Sequence, residues 1–173
     1  IQNNEEQVIF NKSTNKDYFS LKSDVEVISM PKISDSVKRH NRLIGEIDSL
    51  YHEAALKFEL NDTELKILYT ICYVGDESPL TEIRRLTGLT KQTINSGIRK
   101  LESQNLIELE NSTPKTKNVR LTDSGKILAN RTAMKLLEIE TKIFESWTPE
   151  EVEIYLELVE RFTVELKSRM KEI

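Results

Sequence analysis

Hydrophobic residues recur at helical spacing along most of the chain. In the segment "GLTKQTINSGIRKLESQNLI", residues 88–107, the side chains of Ile94, Ile98 and Leu101 fall on one stripe of a helix. The opposite side carries amides, a hydroxyl and a guanidinium, contributed by Gln92, Asn95, Ser96 and Arg99. Such groups hydrogen-bond to base edges and phosphates. A solvated helix face has a similar pattern, so the neighbouring segments have to decide between the two interpretations.

The segment before this helix has the cap and turn residues of a helix-turn-helix. Ser78 is predicted to cap one helix, with Pro79 at its first position. Gly88 is predicted to end that helix with a positive φ, and Thr90 to cap the next one. An earlier helix is predicted to start at a capping box formed by Asn61 and Glu64. The residues of this helix that are predicted to face inward are Leu65, Leu68, Ile71 and Cys72.

A hairpin is predicted directly after this unit. Asn105 has the residue type for a left-handed helix end. The segments "LIELE" and "NVRLT" then alternate with period two around the polar, lysine-bearing "NSTPKTK". Two such strands around a polar tip form a β-hairpin. A helix-turn-helix followed by a basic hairpin is a winged helix, which is a more specific signal than either part alone.

Long amphipathic helices are predicted at both ends. A seven-residue seam runs through Ile33, Val37, His40, Ile44, Ile47, Tyr51, Ala54 and Phe58. One further helix is predicted from Thr122-Asp123 to near Trp147. A last helix, capped by Thr148-Pro149, carries Val152, Tyr155, Val159, Phe162, Leu166 and Ile173. Seams of this length suit packing against another long helix, in the same chain or in a partner.

The predicted fold is therefore mainly α. It consists of a winged helix-turn-helix DNA-binding lobe with a two-stranded β-wing, flanked by long N- and C-terminal helices. The expected divisions are an N-terminal extension or flexible arm at 1–29, an N-terminal helix at 30–60, the winged-helix lobe at 61–122 and C-terminal helices at 123–173. Residues 1–29 are rich in Asn, Lys and Ser and have no helical periodicity.

Charge and composition sharpen this picture. The net charge is −4, but residues 81–126 hold nine Lys and Arg against five Asp and Glu, so the attraction to phosphate is local. The single cysteine, the absence of a secretory signal and the absence of a membrane-spanning run indicate a cytoplasmic protein. No paired-carboxylate motif, Gly-rich phosphate loop or Ser/His/Asp set is present, so neither an enzyme nor a cofactor is expected.

Three segments, "LNDTELKIL", "GLTKQTINSGIRKLESQNLI" and "VRLTDSGK", resemble the MarR family of bacterial transcriptional regulators. The resemblance covers about residues 33–173. It implies that the outer helices, at 30–60 and 123–173, are dimerisation helices and that the helix from Lys91 to Gln104 enters the DNA major groove. The wing tip, Thr113 to Asn118, would lie along the phosphates or the adjacent minor groove. The sequence departs from the family at Ser96, often Arg, at Gly97, often large and apolar, and at Thr113-Pro114-Lys115, which lacks the family's Asp–Arg brace.

The candidate DNA contacts follow from the two elements. They are Thr90, Lys91, Gln92, Thr93, Asn95, Ser96, Arg99, Lys100, Lys115, Lys117 and Arg120, of which Lys91, Lys115, Lys117 and Arg120 suit phosphate best. Arg84 and Arg85 are either contacts or solvated charges. The first turns after Ser78 and Thr90 can offer backbone amides to phosphates.

Other candidate chemistry is weaker. Tyr51, Phe58, Tyr69 and Tyr73 form either core or a pocket for a small aromatic effector, which the family resemblance implies. Cys72 lies in an apolar run, where a thiol is inert unless its pKa is lowered. His40 and His52 are about 18 Å apart along one helix, too far to share a metal within one chain. No metal site is predicted.

The sequence thus predicts a homodimeric, sequence-specific transcriptional regulator, a repressor, on a pseudo-palindromic operator and released by a small-molecule effector. One alternative is a dimeric winged-helix module that binds proteins and no operator. A second alternative is a metal- or redox-sensing regulator. The two main hypotheses differ in salt dependence, which is steep for a protein that neutralises phosphates.

Overall fold

The structure is a computed structural model that describes residues 32–75, 77–113 and 116–173. The predicted arm at 1–29 lies outside the described residues. The chain divides into two units, Ile1–Asn41 and Arg42–Ile173. In the first unit the described residues are 32–41, where Lys38 Nζ lies 2.9 Å from Asp35 Oδ1.

Helices dominate the described residues, with one small antiparallel sheet, and the predicted mainly α winged-helix class is confirmed. In chain order the elements are α1 Asp35–Lys57, α2 Asp62–Val74, β1 Glu77–Pro79, α3 Leu80–Thr87, α4 Lys91–Ser103, β2 Ile107–Thr113, β3 Thr116–Leu121, α5 Asp123–Arg131, α6 Ala133–Glu145 and α7 Pro149–Arg169. A 3₁₀ turn, Met170–Glu172, follows α7.

The predicted helix ends are present where side chains bond to the local backbone. Asn61 and Glu64 form the capping box of α2, with both hydrogen bonds at 2.9 Å. Thr148 caps α7 in the same way, with Pro149 in the first turn. Gly88 and Asn105 both adopt positive φ, at 64° and 55°. Each cap satisfies backbone groups that a helix end otherwise leaves open.

The core lies around α2, which packs against α3, α4 and α6. The predicted inward residues Leu65, Leu68 and Ile71 are buried, and Cys72 is half-buried against the core. Ile67 is buried as well, so two sides of α2 are covered. The remaining core residues are Ile83, Ile94, Ile98, Leu101, Ile107, Val119, Leu121, Ala129 and Ala133. Burial of each large apolar side chain contributes about 1.5–3 kcal/mol.

The sheet has three strands in the order β1-β3-β2, whereas the sequence predicts two. Ser78 lies in β1 opposite Val119 of β3, is fully buried, and its hydroxyl donates to the Gly75 carbonyl at 3.0 Å. The prediction that Ser78 caps α3 is therefore wrong, because pairing with β3 holds it in a strand. Pro79 is the residue that precedes α3, and no side chain caps this helix.

The predicted long helix from Thr122-Asp123 to Trp147 is also wrong, since it breaks at Thr132. This residue has φ −127° and ψ −91°, and its hydroxyl donates to the Leu128 carbonyl at 2.8 Å. Thr132 and Ala133 are both buried, and α5 and α6 each contact α2. Because of the break, both α5 and α6 pack against α2, whereas one straight helix would diverge from α2.

Apolar side chains remain exposed along the outer helices. On α1, Ala55 is the buried residue, while Ile44 and Ile47 are about half exposed. None of the α7 residues is buried, and Tyr155 and Val159 are open to solvent in the single chain. Among the described residues, no helix has the length and apolar character needed to cross a membrane.

Candidate nucleic-acid interface

Helix α4 has one buried and one open side. Ile94, Ile98 and Leu101 are buried in the core, as their spacing predicts. Gln92, Ser96 and Arg99 are exposed on the opposite side, together with Lys91. Thr90 caps the helix, and its hydroxyl oxygen accepts from the Thr93 amide at 3.2 Å. The helix therefore presents amide, hydroxyl and guanidinium groups to solvent along one row.

One flank of this row is tied to α3. Asn95 is half-buried, and its Oδ1 accepts a hydrogen bond from Arg84 Nη2 at 2.8 Å. Arg85, the next residue on α3, instead pairs with Glu82 at 2.5 Å, and this hydrogen bond lowers the pKa of the Glu82 carboxyl. Of the two arginines that the sequence leaves as contacts or solvated charges, Arg84 thus belongs to the anchoring of α4.

The other flank is tied to α2. Lys100 Nζ lies 2.8 Å from Glu64 Oε1, in an ion pair outside hydrogen-bond geometry. The Glu64 side chain is only 2% exposed, whereas the Lys100 side chain is 51% exposed. Sequence reasoning gives Glu64 only its capping role and Lys100 only a DNA contact. The signal available in the sequence is that Glu64, in the capping box of α2, belongs to the helix directly before the helix-turn-helix.

Between the flanks, Gly97 brings α4 close to α2. A Cβ added at this residue would lie 2.6 Å from Ile67 Cδ1 and 2.7 Å from Thr63 Cγ2. Contacts below 3.0 Å force a neighbour to move. Gly97 is therefore a position of close helix packing, where any larger residue requires the Ile67 or Thr63 side chain to move.

The wing combines paired and exposed cations. Arg120 on β3 has its Nη1 3.4 Å from Glu110 Oε1 of β2 and is half-buried. Lys117, also on β3, is exposed opposite Asn111. The predicted contact Lys115 and its neighbour Pro114 lie outside the described residues. Among the described residues of the wing, Lys117 is thus an exposed cation, and its contact with phosphate stays a prediction.

A separate cavity of about 410 Å³ lies beside α1 and α2. It is lined by Asp48, Tyr51, His52, Asp62, Leu65, Lys66 and Tyr69. Of the four predicted pocket residues, Tyr51 and Tyr69 line this cavity. Tyr73 lies outside the lining, with its ring centroid 6.2 Å from that of Tyr69, and Phe58 is half-buried outside the lining as well. The described residues bring no three metal-ligating side chains together.

Both tyrosine hydroxyls of the cavity donate to one carboxylate, that of Glu140 on α6. The rings of Tyr51 and Tyr69 meet edge to face, 6.4 Å apart. Burial, followed by the hydrogen bond to Glu140 and its negative charge, raises the pKa of both phenols above the usual value. Both phenols are therefore neutral donors at ordinary pH, and they join the cavity wall to α6.

The α3–turn–α4 unit, the three-stranded sheet and the outward polar row together define a winged helix-turn-helix protein. The model of the MarR family matches residues 58–116, which contain α2, α3, α4 and β2. The predicted resemblance to the MarR family is therefore confirmed, in sequence over this central segment and in fold over most of the chain.

Solved structures of MarR family proteins have the same fold. The regulator NMB1585 from Neisseria meningitidis is 20% identical with a TM-score of 0.67, over 81% of this chain and 100% of that one. MepR from S. aureus, solved as a DNA complex, is 20% identical with a TM-score of 0.59, over 78% and 99%. PcaV from Streptomyces coelicolor, solved with its natural ligand, is 14% identical with a TM-score of 0.55, over 77% and 97%. A comparison with curated protein sequences finds no significant match.

Proposed function

We propose that the protein is a sequence-specific DNA-binding transcriptional repressor. The observation that carries this proposal is the setting of α4, which is anchored by its apolar face and by both flanks while Gln92, Ser96 and Arg99 remain exposed. A helix held in this way has little freedom to lose when it enters a major groove. MepR, which has the same fold, was solved bound to DNA.

The proposed regulator acts as a homodimer. The apolar residues of α1 and α7 that are open in one chain, such as Ile47 and Val159, supply an interface of the kind that long helices form. A two-fold dimer places two copies of α4 in successive major grooves, so the operator is a pseudo-palindrome with half-sites about 10 bp apart.

The cavity beside α1 and α2 is the proposed effector site. Its aromatic walls suit a small aromatic molecule, and PcaV was solved with a natural ligand. A ligand that hydrogen-bonds to Tyr51 or Tyr69 competes with Glu140 and so acts on the hydrogen bonds that join α1 and α2 to α6. It releases DNA only if it binds the non-binding arrangement more tightly than the binding one.

The test is fluorescence anisotropy with the chain's own upstream promoter DNA and with a shuffled duplex of equal length, at 50 and 200 mM salt. We expect selective binding that weakens by about 10³–10⁵ over this range for six to ten phosphate contacts. Arg99→Ala should reduce selectivity, while Lys117→Ala should weaken both duplexes and lower the salt slope by about one. Lys135→Ala, an exposed charge on α6, is the matched control and should change neither.

Weak binding that is equal on both duplexes, insensitive to salt and unchanged in Arg99→Ala and Lys117→Ala contradicts the proposal. That result favours the alternative of a winged-helix module that binds a protein. Binding of that partner would depend on apolar contacts, which respond much less to salt than contacts with phosphates do.

A further inference from the structure

The hydrogen bond between Arg84 and Asn95 fixes the orientation of an amide at the edge of the outward row. Arg84 Nη2 on α3 donates to Asn95 Oδ1 on α4 at 2.8 Å, and both residues are half-buried. A guanidinium has five donors and no acceptor, so the end of the amide that faces it has to be the oxygen. The Nδ2 group of Asn95 therefore points away from Arg84.

The position of Asn95 on α4 places this group beside the exposed residues. Asn95 is three residues after Gln92 and four before Arg99, so the three side chains are neighbours on the helix surface. The Nε atom of Arg84 is buried and meets no acceptor among the described residues. Packing and the bond to Asn95 thus hold the guanidinium in one place.

We propose that Arg84 is a positioning residue that sets the base preference of the protein through Asn95. This inference rests on the proposed function, in which α4 enters the major groove. With its oxygen held by Arg84, Asn95 presents the two N–H donors of Nδ2 to the DNA. One position of each half-site is then read by a donor.

The hydrogen-bonding groups in the major groove determine which bases can pair with this donor. Guanine presents the acceptors N7 and O6, adenine presents the acceptor N7 and thymine presents the acceptor O4, whereas cytosine presents only the donor of its N4 amino group. An unrestrained asparagine turns either end of its amide toward the base and so accepts from cytosine or adenine amino groups as well. Arg84 removes that second choice, and cytosine on the contacted strand becomes the disfavoured base.

The experiment measures base preference position by position. Operator duplexes carrying each of the four bases at every half-site position are titrated with wild type, Arg84→Met, Arg84→Lys and Asn95→Ala. In the wild type we expect one position at which cytosine weakens binding about tenfold relative to guanine, the scale of one base contact. Arg84→Met and Asn95→Ala should each reduce this ratio to about threefold or less at that position alone. Arg84→Lys retains a donor and should restore part of it.

Arg85→Met is the matched control, because Arg85 lies on the same helix and pairs with Glu82. It should leave every preference unchanged. The proposal is overturned if Arg84→Met weakens binding to all duplexes with the profile intact, or if Asn95→Ala flattens no position. If Arg84→Met unfolds, as circular dichroism would reveal, Asn95→Ala and Arg84→Lys still decide the question. Wild-type binding without any sequence preference would instead refute the proposed function itself.

Discussion

The ion pair between Glu64 and Lys100 makes the anchoring of α4 measurable. Lys100→Met removes the ammonium group from a carboxylate that is 2% exposed. Loss of one partner of a fully buried pair costs about 3–5 kcal/mol, and solvent at the half-exposed lysine reduces this, so we expect a loss of about 2–3 kcal/mol. Glu64→Gln keeps an acceptor for the Asn61 amide and leaves an ammonium that water solvates. Its expected cost is about 1 kcal/mol or less.

The assay is urea unfolding followed by circular dichroism at one protomer concentration, since the proposed dimerisation would make stability depend on that concentration. The double variant Glu64→Gln/Lys100→Met buries no unpaired charge. Its stability should therefore lie near that of Glu64→Gln and above that of Lys100→Met. Glu151→Gln, at the same position of the exposed capping box of α7, is the matched control and should stay within about 0.5 kcal/mol of wild type.

Two outcomes would refute this reasoning. In one, Lys100→Met is no less stable than Glu64→Gln, which means that the carboxylate does not depend on the ammonium. In the other, the two single effects add in the double variant, which means that the residues do not interact. Either result would mean that this ion pair does not anchor α4 to α2.

Three further predictions address other parts of the molecule. Gly125→Ala places a Cβ 1.8 Å from a backbone carbonyl oxygen and should lower the free energy of unfolding in urea by about 1–3 kcal/mol or more. Gly45→Ala, where the Cβ meets open space, should raise it by about 0.5–1 kcal/mol, and equal unfolding midpoints for the two variants would contradict this. Because the folded state raises the pKa of Tyr69 above its unfolded value, the contribution of Tyr69 to folding stability is complete below about pH 10 and is lost as the pH rises further. Glu140→Gln should move the rise of phenolate absorbance at 295 nm to lower pH, and an unchanged titration would argue against the hydrogen bond between Tyr69 and Glu140. If α7 forms the proposed dimer interface, Val159→Glu should yield a folded monomer in sedimentation velocity, whereas a persistent dimer would count against that interface.

Local chemistry explains which parts of the fold can be predicted from the sequence. The capping box of Asn61 and the positive φ of Gly88 and Asn105 depend on residues within one turn, so the pattern alone identifies them. Ser78-Pro79 has an equally good local signal for a helix start, yet the chain forms β1 because its partner β3 lies about 40 residues later. Thr132 breaks a helix without Gly or Pro, and the packing of α5 and α6 against α2 cannot be read from the local pattern.

The candidate site divides in the same way. The outward position of Gln92, Ser96 and Arg99 follows from the period of the helix, so the sequence predicts it. The partners of Asn95 and Lys100 do not follow, because Arg84 and Glu64 lie on other helices whose packing sets the distances. Periodicity identifies the exposed face of α4, but tertiary contacts decide which of its polar residues are free to meet a ligand.

The separation of anchoring and exposed residues on α4 bears on how such a protein can change its target. Gln92, Ser96 and Arg99 have no part in the core, so substitutions there should alter stability by no more than about 0.5 kcal/mol. New combinations at these three positions can therefore be sampled, in a laboratory library or in evolution, without compensating changes elsewhere. At these three positions the proposed DNA-reading side chains are separate from the core, whereas Asn95 and Lys100 each combine a tertiary contact with a predicted DNA contact. A change at either of those two residues should therefore alter stability and DNA binding together.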